Sequence, residues 1–263
     1  MNLLEKELPE GLLVDSAWLE QQGIASNLRA YYVKHGWLDQ PVRGVYRRPR
    51  GSLRWQQVVI SLQTLLGEVL VVGGRTALEL QGFAHYLSRN IRTVYLYGPE
   101  KPPTWLSKLD LPQRFAYRNS AKLFSHEPMV RSLGSLAWNI NTAEGRDLER
   151  LQGGDLTALT WGQWDWPLTL SRPERAYLEM LDELPKKESF HQADKLMEGA
   201  VNFSPRRLQK LLSACHSVKV KRLFFFFADR HQHSWMARID KDAIDFGSGK
   251  RMLVEADGLT RNT

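Results

Sequence analysis

Residues 12–48, LLVDSAWLEQQGIASNLRAYYVKHGWLDQPVRGVYRR, place two short helical patterns and a hairpin pattern so close together that few arrangements accommodate them. Asp15 or Ser16 can cap a first helix over 17–22, because a short side-chain oxygen accepts from the free N–H groups of a first turn. Gly23 ends that helix in the left-handed conformation that a helix C-terminus favours. Ser26 or Asn27 then caps a second helix that stops at Gly36. Leu28 and Tyr32 lie four apart, on one face with Tyr31, and pack inward, whereas Asn27, Ala30 and Lys34 point the other way. Trp37 and Leu38 begin a strand, Asp39-Gln40-Pro41 turn the chain, and Gly44-Val45-Tyr46-Arg47 return it. The pattern predicts a helix-turn-helix with a β-wing.

Apolar residues behind a helix and small or polar residues in front of it suit a helix that enters a DNA groove. Arg43, Arg47, Arg48, Arg50 and Arg54 load the return strand and its exit with fixed positive charge, suited to phosphates or a narrow minor groove. From Ser26 to Trp55 seven Lys/Arg stand against one acid, Asp39. Ser26, Asn27, Tyr31 and Lys34 are the candidate groove contacts, Asn being suited to adenine. Arg29 is expected on a phosphate or a flanking base, and Arg43, Arg47 and Arg48 on the adjacent backbone or minor groove. A small basic helical module that joins two larger parts, or one that binds protein, fits the same pattern.

The whole chain of 263 residues has a formal net charge of +7, which favours an acidic partner, most simply nucleic acid. Its length suits about two domains. The single cysteine, Cys215, excludes an intramolecular disulfide and a multi-cysteine zinc site, and reads as a buried structural thiol. The start, MNLLEKELPE, is amphipathic and acidic, unlike a signal peptide. No run approaches the roughly 20 apolar residues that span a bilayer, so a cytoplasmic protein with no membrane partner is expected.

Past residue 50 the organisation changes. Residues 52–66 carry apolar positions at helical spacing, 68–72 read as a short buried strand, and a helix runs from Thr76 to about Gly82. Ile91 to Tyr97 alternates as a strand, and two further short strands are expected at 113–117 and 122–124. Helices are expected over 130–139 and 147–159, and Trp161, Trp164, Trp166 and Pro167 form a hinge-like stretch near which the second part divides.

The pair Gly73-Gly74 raises the question of an enzyme. Nucleotidyltransferases of the polymerase-β type cradle a triphosphate on the backbone N–H groups of such a strand-to-helix turn. Their next strand carries two carboxylates that hold Mg²⁺. Here that strand reads SRNIRTVYLYG, and no Asp or Glu occurs between Glu79 and Glu100. Two-metal chemistry cannot run on those side chains, so the turn is either a relic or a device for close packing. His231-Gln232-His233 would make a three-histidine metal site if His216 came close, but no acidic or cysteine ligand shares the spacing, and the stretch reads as a polar hairpin turn. There is no nucleophile elbow, Walker loop or HExxH motif. No enzyme activity, cofactor or metal is expected.

In the last third, Ser171 with Glu174 three residues on resembles a capping box for a helix over 172–184. Helices follow over 190–198 and from Pro205, with Ser204 as cap and proline at the first helical position. Val218 to Arg222 alternates Val with Lys, and Leu223 to Phe227 is wholly apolar, which predicts a buried central strand. From Arg206 to Arg222 there are six Lys/Arg and no acid. This is either a solvated face or a second surface for an acidic partner.

Three segments together, VDSAWLEQQGIASNLRAYYVKHGWLDQPVRGVYRRP, VVGGRTALELQGF and SVKVKRLFFFFADR followed by IDFGSGKRMLV, resemble the AbiEi family over nearly the whole chain. These are antitoxins of type IV toxin–antitoxin systems in bacterial phage-defence (abortive infection) loci. The resemblance implies an α+β fold, with a winged helix-turn-helix at 1–50 and a larger mixed α/β antitoxin region at 51–263. It implies that the winged helix represses its own operon at inverted repeats in the promoter; two copies on a two-fold operator, occluding polymerase, are the expected arrangement. The larger region would counteract a nucleotidyltransferase-like toxin without a stable complex, and Arg206, Arg207, Lys219, Lys221 and Arg222 are its candidate residues. The family pattern leads one to expect a final strand beyond GSGKRMLV, whereas the sequence stops soon after, at GLTRNT. Other readings are a stand-alone winged-helix regulator with a C-terminal ligand-sensing or dimerisation domain, and an enzyme of unfamiliar type built on the glycine turn.

Overall fold

A strand that the sequence pattern did not predict precedes the helix pair. In the computed structural model, which describes residues 4, 7–83, 91–124 and 154–247, β1 (Leu13–Asp15) buries Leu13 and Val14 completely. Its last residue caps α1 (Ser16–Gln21), the Asp15 carboxylate accepting from Trp18 N at 2.8 Å. Gly23, at φ +78°, turns the chain toward α2 (Ser26–Lys34). The cap of α2 is Ala25 without a side-chain bond, so Ser26 is the first helical residue and neither Ser26 nor Asn27 is the cap.

β2 (Asp39–Val42) and β3 (Val45–Arg47) pair antiparallel, and β3 lies between β1 and β2. The turn falls at Arg43-Gly44, not at Asp39–Pro41: Val42 pairs with Val45, and Gly44 supplies φ +80°. A two-residue hairpin turn needs positive φ, which glycine adopts without steric cost. Pro41 sits instead in the edge strand, where its missing N–H breaks no ladder bond.

α3 (Trp55–Thr64) packs against both β1 and the second sheet. The Ser61 hydroxyl accepts from Leu13 N at 2.9 Å, and the Gln63 amide bonds both backbone atoms of Thr169 (2.9 and 3.0 Å). Then come β4 (Val71–Val72), α4 (Gly74–Leu80), β5 (Thr93–Gly98) and β6 (Arg114–Asn119). β7 (Leu156–Trp161) and β8 (Trp166–Ser171) complete a mixed sheet in the order β6-β5-β4-β8-β7. The register Leu156↔Ser171 through Trp161↔Trp166 makes the tryptophan cluster a hairpin, not a hinge, and makes 156–159 strand rather than helix. The strand expected at 122–124 is a tight turn over Ser120–Lys122, opened by Asn119 Oδ1 accepting from Ala121 N at 2.9 Å.

Four helices follow: α5 (Pro173–Asp182), α6 (Phe190–Glu198), α7 (Pro205–Ala214) and α8 (Val218–His231). Ser204 caps α7 as expected. Ser171 does not cap α5: it ends β8, and its hydroxyl donates to Glu179 Oε1 at 3.0 Å. The largest departure is α8, expected as a buried strand. Ser217 Oγ accepts from Val220 N and starts a helix whose buried Val220, Leu223, Phe224, Phe227 and Ala228 fall at helical spacing. A continuous apolar run does not distinguish a buried strand from a buried helix, and here neighbours α5 and α6 enclose it. His231 therefore ends a helix, with Gln232 as left-handed cap, rather than lying in a hairpin turn. The helices expected over 130–139 and 147–153 and the C-terminal strand lie outside the described residues.

Candidate nucleic-acid interface

The inner face of α2 is fixed by one arginine. Arg29, expected on DNA, is buried, its Nη1 donating to Ile24 O (3.1 Å) and its Nη2 pairing with Glu20 (2.9 Å). It therefore staples α1, the turn and α2. Tyr32 backs the helix from the same side, stacked on Trp37 with centroids 5.4 Å apart. The opposite face presents Ser26, Asn27, Ala30, Tyr31 and Lys34, all exposed. Tyr31 does not pack inward with Tyr32: it is 51% exposed and lies over His35 at 4.0 Å between centroids. The exposed stripe is short-chained along its first turns, so a surface pressed on it can approach the helix backbone.

Arg43 stands at the hairpin turn and is exposed. The adjacent Gly44 carbonyl accepts from Ser16 N at 2.9 Å, which ties the turn to the start of α1. Arg47 and Arg48 are placed differently. Arg47 pairs with Asp39 at 3.1 Å and donates to Gly51 O at 2.9 Å, with its side chain 12% exposed. Arg48 pairs with Glu10 at 3.2 Å and donates to Leu8 O at 3.0 Å. Arg50 shares Glu10 at 3.0 Å. Of the seven cations between Ser26 and Trp55, Lys34, Arg43 and Arg54 are the exposed ones with no acidic partner among the described residues.

The basic residues of the last third face the protein. Arg207 pairs with the buried Glu174 at 2.7 Å and donates to Gly154 O. Lys219 reaches Asp182 and Leu184 carbonyls at the C-terminal end of α5, where the helix dipole is negative. Lys221 is buried and donates to Asp245 O at 2.7 Å, and Arg222 to Phe246 O at 3.1 Å. Arg206 alone of the five is exposed.

Two profiles of one family match this chain, and between them they span it. Residues 1–89 match the family described as "transcriptional regulator, AbiEi antitoxin N-terminal domain", and residues 91–262 match "transcriptional regulator, AbiEi antitoxin, type IV TA system". The chain belongs to the AbiEi antitoxin family. The crystal structure of the RV2827C protein from Mycobacterium tuberculosis superposes on it with a TM-score of 0.49 at 15% identity, covering 88% of this chain and 77% of that one. No curated protein matches it.

In this AbiEi antitoxin the glycine turn is filled by the chain itself. Gly74 N donates to Glu179 Oε2 at 2.8 Å, and a Cβ on Gly73 would collide with that carboxylate and the Tyr97 ring. Glu179 also binds Arg175 at 2.9 Å, and all of these groups are buried. The position an anion would take at the start of α4 thus holds an internal carboxylate. Burial raises the Glu179 pKa against the pull of Arg175. Near it, Arg75 bridges Glu79 (2.9 Å) and Glu188 (3.3 Å), and burial pushes the Glu188 carboxyl up to about 7. Burial likewise pushes the Cys215 thiol up to about 11, as befits an inert structural cysteine. No cluster of three or more metal-ligating side chains occurs among the described residues, and no helix among them is long and apolar enough to cross a membrane.

What sequence reasoning missed is the pairing. Glu10 lies 38 residues from Arg48 and gives no local signal. Asp39 gives little more: a turn at Arg43-Gly44 alone would set Gln40 opposite Arg47, and only the register shift between Val42 and Asp39 brings Asp39 there.

Proposed function

We propose that this antitoxin binds inverted repeats in the promoter of its own operon through α2 and the β2–β3 hairpin, as a winged helix, and represses transcription. The observation that carries this reading is the exposed stripe Ser26, Asn27, Ala30, Tyr31 and Lys34, held rigid from behind by buried Arg29 and Tyr32. Asn27 reads a base edge, Ser26 and Tyr31 line the groove, and Lys34 and Arg43 meet phosphates. Arg29, Arg47 and Arg48 support this surface instead of touching DNA, since each is bound to protein acceptors. Two copies on a two-fold operator occlude polymerase.

Residues 51–263 form the antitoxin region and counteract a nucleotidyltransferase-like toxin, without a stable complex, in the cytoplasm. Among the five basic candidates Arg206 is the contact, and Arg207, Lys219, Lys221 and Arg222 hold the surface that presents it. The chain is not itself a nucleotidyltransferase: β5 carries no carboxylate, and Glu179 fills the glycine turn.

Fluorescence anisotropy of the full chain on its own promoter fragment tests the first half. Saturable binding that Asn27→Ala weakens at one base pair is expected; equal binding to unrelated duplexes would remove the base-reading role. Growth rescue by the full chain, co-expressed with the adjacent toxin gene, tests the second half. No rescue would end the toxin-counteracting role and leave promoter binding standing.

A further inference from the structure

A cleft of about 310 Å³ lies between the exit of the wing and the tryptophan hairpin, away from the α2 stripe. Its walls are Glu10, Arg50 and Arg54 on one side and Trp161, Trp164 and Trp166 on the other. The two sides come from the two separately matched parts of the chain, before and after residue 90.

The hairpin is built to display an indole. Trp161 and Trp166 pair across the strands with rings 6.3 Å apart, leaving Gly162-Gln163-Trp164-Asp165 as the loop. Asp165 adopts φ +52°, a conformation that side-chain-bearing residues rarely take and that concentrates at functional loops. The result leaves Trp164 54% exposed, with the Arg50 guanidinium 5.8 Å from its ring centroid. A large aromatic ring more than half exposed at a loop tip, with a planar cation over it and a second arginine at the rim, is an open stacking platform.

We propose that this cleft binds a nucleotide, with the base stacked between Trp164 and the Arg50 guanidinium and the phosphates held by Arg54. Indoles and guanidinium planes are both flat partners on which bases stack. A base between them needs roughly 7 Å, twice the ordinary contact distance of about 3.5 Å. A small swing of the half-exposed Arg50 side chain opens that gap. Glu10 stays engaged by Arg48 when Arg50 swings, so it does not repel a phosphate as a bare carboxylate would. The cleft lies at the foot of the hairpin, past Arg47, whereas Arg43 stands at its turn, and its volume suits a single nucleotide rather than a duplex. The ligand is a free nucleoside triphosphate or one residue of a single strand; the recognition chemistry is the same.

The test is isothermal titration of the full chain with each ribonucleoside triphosphate and, separately, with a short single-stranded oligoribonucleotide. Saturable binding is expected, weakened about tenfold or more by Trp164→Ala, the loss of one stacked base. Arg54→Ala should weaken the triphosphate more than the bare nucleoside. Tighter binding of the oligonucleotide assigns the site to a strand, and comparable binding assigns it to free nucleotide; both support the proposal. Trp164 lies on the surface, so its variant folds, and its promoter affinity should be unchanged. No binding of either probe, or binding that both variants leave intact, would overturn the proposal.

Discussion

Between Ser26 and Trp55 the chain sets seven Lys/Arg against one acid, and between Arg206 and Arg222 six against none, yet the two stretches use their charge in opposite ways. In the first, Lys34, Arg43 and Arg54 stay in solvent beside a stripe of small and polar side chains. In the second, α8 turns Lys219, Lys221 and Arg222 onto main-chain carbonyls, and Arg207 is drawn to a buried carboxylate. Charge density along a sequence therefore does not measure charge on a surface. What decides is whether acids or carbonyls from distant segments fold against the cations. Glu20, Asp39 and Glu10 do so in the N-terminal region for Arg29, Arg47, Arg48 and Arg50, and leave the rest exposed.

The comparison breaks most sharply at Arg207. Removing it leaves Glu174, 3% exposed, with only Ser204 N on Oε1 and no partner on Oε2. An uncompensated buried carboxylate costs about 3–5 kcal/mol. Urea unfolding of Arg207→Ala should show that loss; a loss near zero would mean the cation is surface charge after all.

Next in size is Glu188. Its pKa is raised by burial to about 7, so the native state binds a proton that the unfolded chain releases near 4.5. That contribution to stability is fully present below about pH 4.5 and is lost as pH rises to about 7, about 2 kcal/mol in all once screening is allowed for. Glu188→Gln should flatten the stability profile of the protein over that window. A profile parallel to wild type would show that Arg75 keeps the carboxylate ionised throughout.

In the N-terminal region Asn27→Ala should cost roughly 1–3 kcal/mol on the promoter and relax preference at one base pair. Arg43→Ala should weaken binding to every duplex alike and reduce the salt slope by about 1. Arg47→Ala, by contrast, should act through stability of the hairpin, because its guanidinium already holds Asp39 and Gly51 O. A change of salt slope as large as that of Arg43→Ala would place Arg47 on DNA.

The elements read most clearly from sequence were those with local punctuation. Asp15, Gly23 and Gly36 bound α1 and α2 much as expected, and Ser204-Pro205 opens α7. The β2–β3 hairpin was legible, but its turn was misplaced, because Pro41 reads as a turn residue unless the strand is known to be an edge. α8 was misread because five consecutive apolar residues, 223–227, carry no period, and only burial by α5 and α6 selects the helix. In the candidate interface, Asn27, Lys34 and Arg43 were legible as outward-facing positions, whereas the inward turn of Arg29 depends on Glu20 and the Ile24 carbonyl meeting it in space.

The smallest expected effect is the most discriminating for the C-terminal region. Arg206 sits on the first turn of α7 beside Arg207, and the two neighbours point to opposite environments, one exposed and one 19% exposed on Glu174. Arg206→Ala removes no described hydrogen bond or ion pair, so unfolding should shift by no more than about 0.5 kcal/mol. If the exposed cation makes the contact that opposes the toxin, growth rescue should fall while stability and promoter affinity hold. Arg206→Glu, which reverses the charge, should lower rescue further than Arg206→Ala, and Arg206→Lys should restore most of it. Rescue that is indifferent to all three substitutions would mean that neutralisation does not run through Arg206, and of the six cations Arg207, Lys219, Lys221 and Arg222 would then serve only internal contacts.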